Sequence, residues 1–178
     1  MHKNIQTIYQ ETIAFAALKH GNQKMPNGLP YVVHLSNVAM EVFMAHKKEP
    51  NFNIELGIQL ALLHDVLEDT PLSFKELEDT FGNIVATGVL ALTKNTSLDK
   101  KDQMQDSLDR IVKQGKEVAI VKLCDRITNL QKPPLKWDND KIKKYHLQAT
   151  QIAETLQGKN SYLDNRIQEK IKAYTAFV

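Results

Sequence analysis

The stretch LALLHDVLEDT, residues 60–70, is apolar on nearly every side. Leu60, Leu62, Leu63, Val66 and Leu67 leave no broad polar face, and a helix of that kind is normally buried. Yet the same stretch carries His64 and Asp65 side by side, followed by Glu68 and Asp69. A buried carboxylate is costly unless it is paired or bound to a metal. His64 with Glu68, and Asp65 with Asp69, stand at i, i+4, so in one continuous helix each pair shares a face. Glu68 and Asp69 also fall in the expected last turn, just before Thr70-Pro71, where each opposes the helix dipole by roughly 0.3–1 kcal/mol. Surface solvation accounts for either acid alone. It accounts poorly for His64-Asp65.

Outward from this stretch the pattern stays helical. Seven Gly and six Pro fall mostly between periodic segments, as breakers should. The spacing predicts helices over about 5–20, from Pro30 to His46, over 54–69, a short one capped by Ser73 and Glu76, and one ending near Leu92. It predicts further helices over about 99–114, 118–130, 139–157 and 161–175. The Ser73/Glu76 pair reads as a capping box, and Pro30 suits a first helical turn. No segment alternates convincingly with period two, so no sheet is expected. The expectation is an all-α globule of eight or nine helices, one domain over residues 1–178.

Composition supports this class. The chain has 178 residues, 42% hydrophobic and 25% charged, which suits one globular domain. A chain of this size buries about 70% of its unfolded surface and needs no staple to fold. Its 23 basic and 21 acidic residues leave a net charge of +2. That balance argues against a nucleic-acid partner, which calls for a marked basic excess. The single Cys124 excludes an intrachain disulfide and a multi-cysteine zinc site. The start has no apolar signal-like run, and no stretch approaches the ~18 apolar residues of a membrane span. A cytoplasmic protein without a membrane partner is expected.

The anomaly of residues 60–70 recurs at VAIVKLCDRITNL, residues 118–130. Ile120, Leu123, Ile127 and Leu130 form one apolar stripe. Val118 and Val121 extend apolar character to a second face, which carries Asp125 and then Asn129. The bland alternative is a surface ion pair of Asp125 with Arg126 or Lys122. A third candidate is His34 in PYVVHLSNVA, residues 30–39, on a helix with Tyr31, Leu35 and Val38. Alone, such a histidine is more often a core residue than a ligand. Together, His34, His64, Asp65 and Asp125 make two imidazoles and two carboxylates on three helices. Mixed nitrogen and oxygen ligation suits Mn²⁺, Fe²⁺, Co²⁺ or Zn²⁺ better than Mg²⁺ or Ca²⁺. Such an ion acidifies a bound water and polarises a phosphoryl oxygen. Glu68 and Asp69, one turn on, are placed for proton transfer or for orienting that water.

The same residues resemble the HD-domain metal phosphohydrolases, and more narrowly the hydrolase domain of the RelA/SpoT homologues. The family's first block, H-x-G-Q-x-R-x-x-G-x-P-Y-x-x-H-P, stands here as HGNQKMPNGLPYVVHL, residues 20–35. Its second, LLHD-x-x-ED, stands as LLHDVLED, and its third, VKLAD-R-x-x-N, as VKLCDRITN. Phe81-Gly82 matches the FG after the second block. The segment from Tyr145 to Leu163, with LQGKN, is similar to the small alarmone hydrolases of animals and bacteria. The resemblance implies a guanosine 3′-diphosphate 5′-(di/tri)phosphate substrate, one bound Mn²⁺, and release of pyrophosphate with GDP or GTP as the other product. It implies hydrolysis only, because the long relatives' synthetase and regulatory domains would not fit in 178 residues. Carried over residue by residue, His34, His64, Asp65 and Asp125 are the metal ligands. Glu68 and Asp69 are the catalytic pair, and Asn129 is a ribose or phosphate contact. Lys141 and Tyr145 match substrate-contacting positions more loosely.

There are two departures. The family's arginine after Q-x is Met25 here, which can pack against a ring but makes no cation–π contact; Lys24 beside it is expected to take the substrate-binding role. Leu35 replaces the proline after the first ligand. Two other readings remain beside this one: a phosphohydrolase of another nucleotide, such as a 2′- or 3′-phosphorylated dinucleotide, and a non-catalytic nucleotide sensor. His20, His46 and His146 have no motif partner that would make them ligands, and His2 is expected to be disordered.

Overall fold

The computed structural model describes residues 4–178, so the expectation for His2 lies outside the described residues. The chain opens with α1 (Ile5–His20), α2 (Val32–Lys48), α3 (Ile54–Leu63) and the single turn α4 (Val66–Asp69). It continues with α5 (Phe74–Phe81), α6 (Asn83–Leu92), α7 (Gln103–Ile111), α8 (Lys116–Asn129), α9 (Asn139–Thr155) and α10 (Ser161–Tyr174), then a 3₁₀ turn, Thr175–Phe177. The described residues thus hold nine helices of two turns or more besides α4, and no strand. The nearest approach to a sheet is one isolated bridge between Lys24 and Pro30. None of these helices is long and apolar enough to cross a membrane.

Local chemistry sets the starts. Asn4, Asn53, Asp138 and Asn160 each accept a backbone N–H of the following first turn, which relieves an otherwise orphaned donor. The Ser73/Glu76 capping box forms in full: Ser73 Oγ accepts from Glu76 N–H at 3.2 Å, and Ser73 N–H donates to Glu76 Oε2 at 2.9 Å. Gly82, at φ 85°, turns α5 into α6; only glycine takes that conformation without strain. Pro30 lies just ahead of α2, its carbonyl accepting from Val33 N–H at 3.0 Å. The helix expected over 99–114 shortens to α7, with residues 99–102 forming a turn before it.

The largest departure is at residues 54–69, expected as one helix. The chain leaves α3 at His64 and re-enters a helix at Val66, with Asp65 at φ −105°, ψ −1°. No Gly or Pro causes this. Adjacent residues on a helix of 3.6 residues per turn point about 100° apart, and the break brings His64 and Asp65 round to one point. Glu68 and Asp69 therefore lie in a separate one-turn helix, and the dipole opposition expected at the end of a long one does not arise.

Core packing follows from α3, whose Ile58, Leu60, Leu62 and Leu63 are fully buried. It is enclosed by α1, α2, α6 and α8. Fully burying each such side chain contributes about 1.5–3 kcal/mol. Gly88 lets α6 come close: a Cβ there would meet Leu60 Cδ2 at 2.7 Å and Val118 Cγ2 at 3.2 Å. Cys124 is buried in α8, and burial pushes its thiol well above the ordinary value, which keeps it unreactive.

Candidate metal centre and cleft

Three core helices converge on one point. α2 presents His34, the end of α3 presents His64 and Asp65, and α8 presents Asp125. The Nε2 atoms of His34 and His64 lie 3.3 Å apart. His64 Nε2 is 3.0 Å from Asp65 Oδ2 and 3.7 Å from Asp125 Oδ1. His34 Nε2 is 3.4 Å from Asp125 Oδ1 and 3.8 Å from Asp65 Oδ2. His34, His64 and Asp125 bring ligand atoms within 4.8 Å of one another. His64 Nδ1 faces Ala61 O at 2.8 Å; a carbonyl only accepts, so Nδ1 carries a proton and Nε2 is the nitrogen turned to the two carboxylates. Nε2 is thus the nitrogen a metal would take in exchange for its proton.

Two largely buried carboxylates set the electrostatics at this point. Burial pulls the His64 imidazole down, but Asp65 and Asp125 more than reverse this and lift it to about 9. Burial pushes the Asp65 carboxyl up, while His64 and the Tyr31 hydroxyl that donates to it hold it below the usual carboxylate range. Asp125 is likewise held low against its burial by His34, Lys122 and His64. His34, His64 and Asp125 fit one divalent metal ion. Donors bonded at about 2.0–2.2 Å stand about 3–3.5 Å apart, close to the 3.3–3.7 Å among these three; Asp65 lies against both imidazoles beside them.

The cluster floors a cleft of about 520 Å³. Glu68 and Asp69 line it beside Asp65 and Asp125. Glu68 is gripped by Lys94, through its ammonium and through its backbone N–H at 3.1 Å. Asp69 Oδ2 accepts from Gln23 Nε2 at 2.8 Å. Asn129 lines the cleft and donates through Nδ2 to Asp125 Oδ1 at 2.6 Å. Tyr145 lines it too, edge-on to Trp137 at 5.1 Å between ring centroids. The two remaining candidates are elsewhere. Lys141 sits over the Trp137 ring, 4.5 Å from its centroid, and Lys24 is exposed in the 21–30 loop; neither forms part of the cleft wall.

The cations on the wall are instead Lys94, Lys100, Lys122 and Arg126. Lys122 Nζ is 3.6 Å from Asp125 Oδ2, so that ion pair exists, but both groups are largely buried at the site and not on an open surface. Arg126, 5% exposed, lies 4.0 Å from the centre of the Tyr145 ring, and its Nε and Nη1 have no hydrogen-bond partner among the described residues. Placed in a helix that is otherwise core, Lys122 and Arg126 could have been read as cleft cations. Lys94 carries no such signal, being one polar residue in a polar loop. Gln23 and Tyr31 lie inside the HGNQ…PY block, but their carboxylate partners are 46 and 34 residues away.

Known proteins resemble this chain over most of its length. The family described as HD domain matches residues 12–159. The chain is similar to the guanosine-3′,5′-bis(diphosphate) 3′-pyrophosphohydrolase MESH1 of Danio rerio, 34% identical over 175 residues, covering 95% of each chain. It is 31% identical to the Homo sapiens protein of the same name, over 91% of this chain and 92% of that one. Against the guanosine-3′,5′-bis(diphosphate) 3′-pyrophosphohydrolase of Aquifex aeolicus it is 34% identical over 135 residues, 72% of this chain and 18% of that longer protein. A solved structure described as a metazoan ortholog of SpoT that hydrolyzes ppGpp superposes with a TM-score of 0.80 at 28% identity, over 97% of both chains.

Proposed function

The chain belongs to the HD-domain family and, within it, to the RelA/SpoT homologues, and on that premise we propose that it hydrolyses the 3′-diphosphate of (p)ppGpp. Pyrophosphate leaves with the hydroxyl of water, and GDP or GTP keeps the 3′ oxygen and gains a proton. The observation that carries this reading is the convergence of His34, His64, Asp65 and Asp125 beneath a cleft that holds both a carboxylate pair and four cations.

In this reading those four residues hold Mn²⁺, which supplies Lewis acidity toward a phosphoryl oxygen and acidifies water when bound. His64 is kept in the ligating tautomer by Ala61 O. Asp69 takes the proton from the attacking water and returns one to the departing 3′ oxygen. Glu68, braced by Lys94, orients the water. Lys94, Lys100 and Arg126 offset the phosphate charge, and Asn129 and Tyr145 hold the nucleoside. Lys24 and Lys141, both outside the cleft wall, contact the substrate at the cleft mouth.

The test is pyrophosphate release from guanosine tetraphosphate by purified protein, with and without Mn²⁺, beside Asp65→Ala. Metal-dependent release that Asp65→Ala abolishes is expected. No release despite one equivalent of bound metal would overturn the substrate, and a parallel arm with a 2′-phosphorylated dinucleotide would then identify a phosphohydrolase of another nucleotide. Nucleotide binding without turnover in either arm would make the protein a sensor.

A further inference from the structure

The segment from His20 to Tyr31 borders the cleft, and two of its side chains reach carboxylates there: Gln23 donates to Asp69 and Tyr31 to Asp65. Both are tied to His20, a buried residue with no role in the reading above. His20 Nδ1 lies 2.7 Å from Gln23 Oε1. An amide oxygen only accepts, so His20 carries its proton on Nδ1. That donation orients the amide: with Oε1 turned to His20, Nε2 faces Asp69. The reverse orientation would set an amide oxygen against a carboxylate. The His20 ring also lies against Tyr31, with 4.8 Å between centroids and 30° between planes. Backbone contacts lock the arrangement, Gln23 N–H donating to His20 O and Tyr31 N–H to Gln23 O, each at 3.0 Å. His20 Nε2 is buried with no hydrogen-bond partner among the described residues, so no acceptor there competes for the imidazole proton.

We propose that His20 is a positioning residue for hydrolysis: by donating from Nδ1 to Gln23 Oε1 it orients the Gln23 amide, and through it Asp69. The proposal rests on the catalytic assignment of Asp69 made above. It separates two properties that a mere core filler would not, the ring and the Nδ1 donor. His20→Phe keeps the ring and loses the donor. His20→Asn loses the ring and can keep a donor near the Nδ1 position.

Steady-state pyrophosphate release would be measured for wild type, His20→Phe, His20→Asn, Gln23→Leu and the His20→Phe/Gln23→Leu double variant. Misplacing a reacting group by an ångström can cost about 100-fold. We expect kcat to fall about tenfold or more in His20→Phe and Gln23→Leu, with KM within about twofold. His20→Asn should stay within about threefold of wild type, and the double variant should be no worse than Gln23→Leu, because both changes break one chain. Wild-type kcat in His20→Phe, independent losses that multiply, or losses confined to KM would each overturn the proposal. If His20→Phe does not fold, Gln23→Leu against His20→Asn carries the same comparison, and equal losses in the two would overturn it. Crystal structures of wild type and whichever His20 variant folds supply an arm independent of turnover. His20→Phe should lose the 2.8 Å contact between Gln23 and Asp69, and His20→Asn should keep it; the opposite result refutes the positioning role. If wild type itself releases no pyrophosphate, the functional reading fails, and this structural arm alone decides the proposal.

Discussion

Two helical segments floor the cleft, and each brings a carboxylate proposed as a ligand to it by a different route. α8 runs unbroken through Asp125, which meets the His34 and His64 rings and takes two further supports from its own helix: Lys122 three residues before at 3.6 Å, and Asn129 four residues after at 2.6 Å. The α3–α4 segment breaks at His64-Asp65, and Asp65 is held by His64 beside it and by Tyr31 from ahead of α2. The difference follows from the number of side chains each segment brings to the cluster. One ligand can project from a regular helix, with supports at i−3 and i+4 on the same face. Two adjacent ligands aimed at one point need the backbone to turn, and the turned residue then takes its support from elsewhere in the fold.

The sharpest way to break this comparison is to remove the ligand at the turn. Asp65→Ala should abolish turnover and lower metal affinity by on the order of 100-fold or more, read by metal titration; affinity close to wild type would leave Asp65 outside the ligand set. Next in size are the supports. Tyr31→Phe takes a donor from the tertiary side and should weaken metal binding by about 10–100-fold. Asn129→Ala, which leaves Lys122 in place, should cost about tenfold and also raise KM. Equal losses in the two titrations would erase the distinction between local and tertiary support.

The seam between the segments offers a third probe. A Cβ at Gly88 would press on Leu60 of α3 and Val118 of α8 together. Gly88→Ala should cost about 1–3 kcal/mol and lower Tm by roughly 2–10 °C by thermal denaturation, while an unchanged Tm would mean that the seam yields freely. The smallest effect is expected beyond the turn, where Ser73→Ala removes only a cap. It should cost about 1 kcal/mol, seen as a small drop in urea midpoint with metal affinity unchanged; altered metal affinity would show that the break at His64 depends on how α5 begins.

The same contrast explains what could be read in advance. Asp125 stood out because a carboxylate interrupted a helix whose faces were otherwise apolar, and its supporters lay within one turn. The capping box at Ser73 was visible for the same reason, since all its atoms lie within four residues. The break at His64 was not visible. The apolar pattern continues through Val66 and Leu67 with no Gly or Pro, so local preference favoured one helix, and convergence of ligands from three helices overrode it. Lys94 and Gln23 were missed because a polar loop residue looks the same whether it meets water or a carboxylate. Lys24 and Lys141 were placed by their neighbours in sequence; neither lines the cleft, though Lys141 lies over Trp137, which does.

By itself the amino-acid sequence determined that this protein is helical, where most of its helices begin and end, and which four side chains are too polar for the core they interrupt. These are short-range matters of periodicity, capping and burial cost. Only the tertiary structure decided where α3 stops, how Glu68 and Asp69 are held, and which cations reach the cleft. Each of those depends on a contact between residues 26 or more positions apart, and such a contact exists only once α1, α2, α3 and α8 have packed and fixed the loops between them.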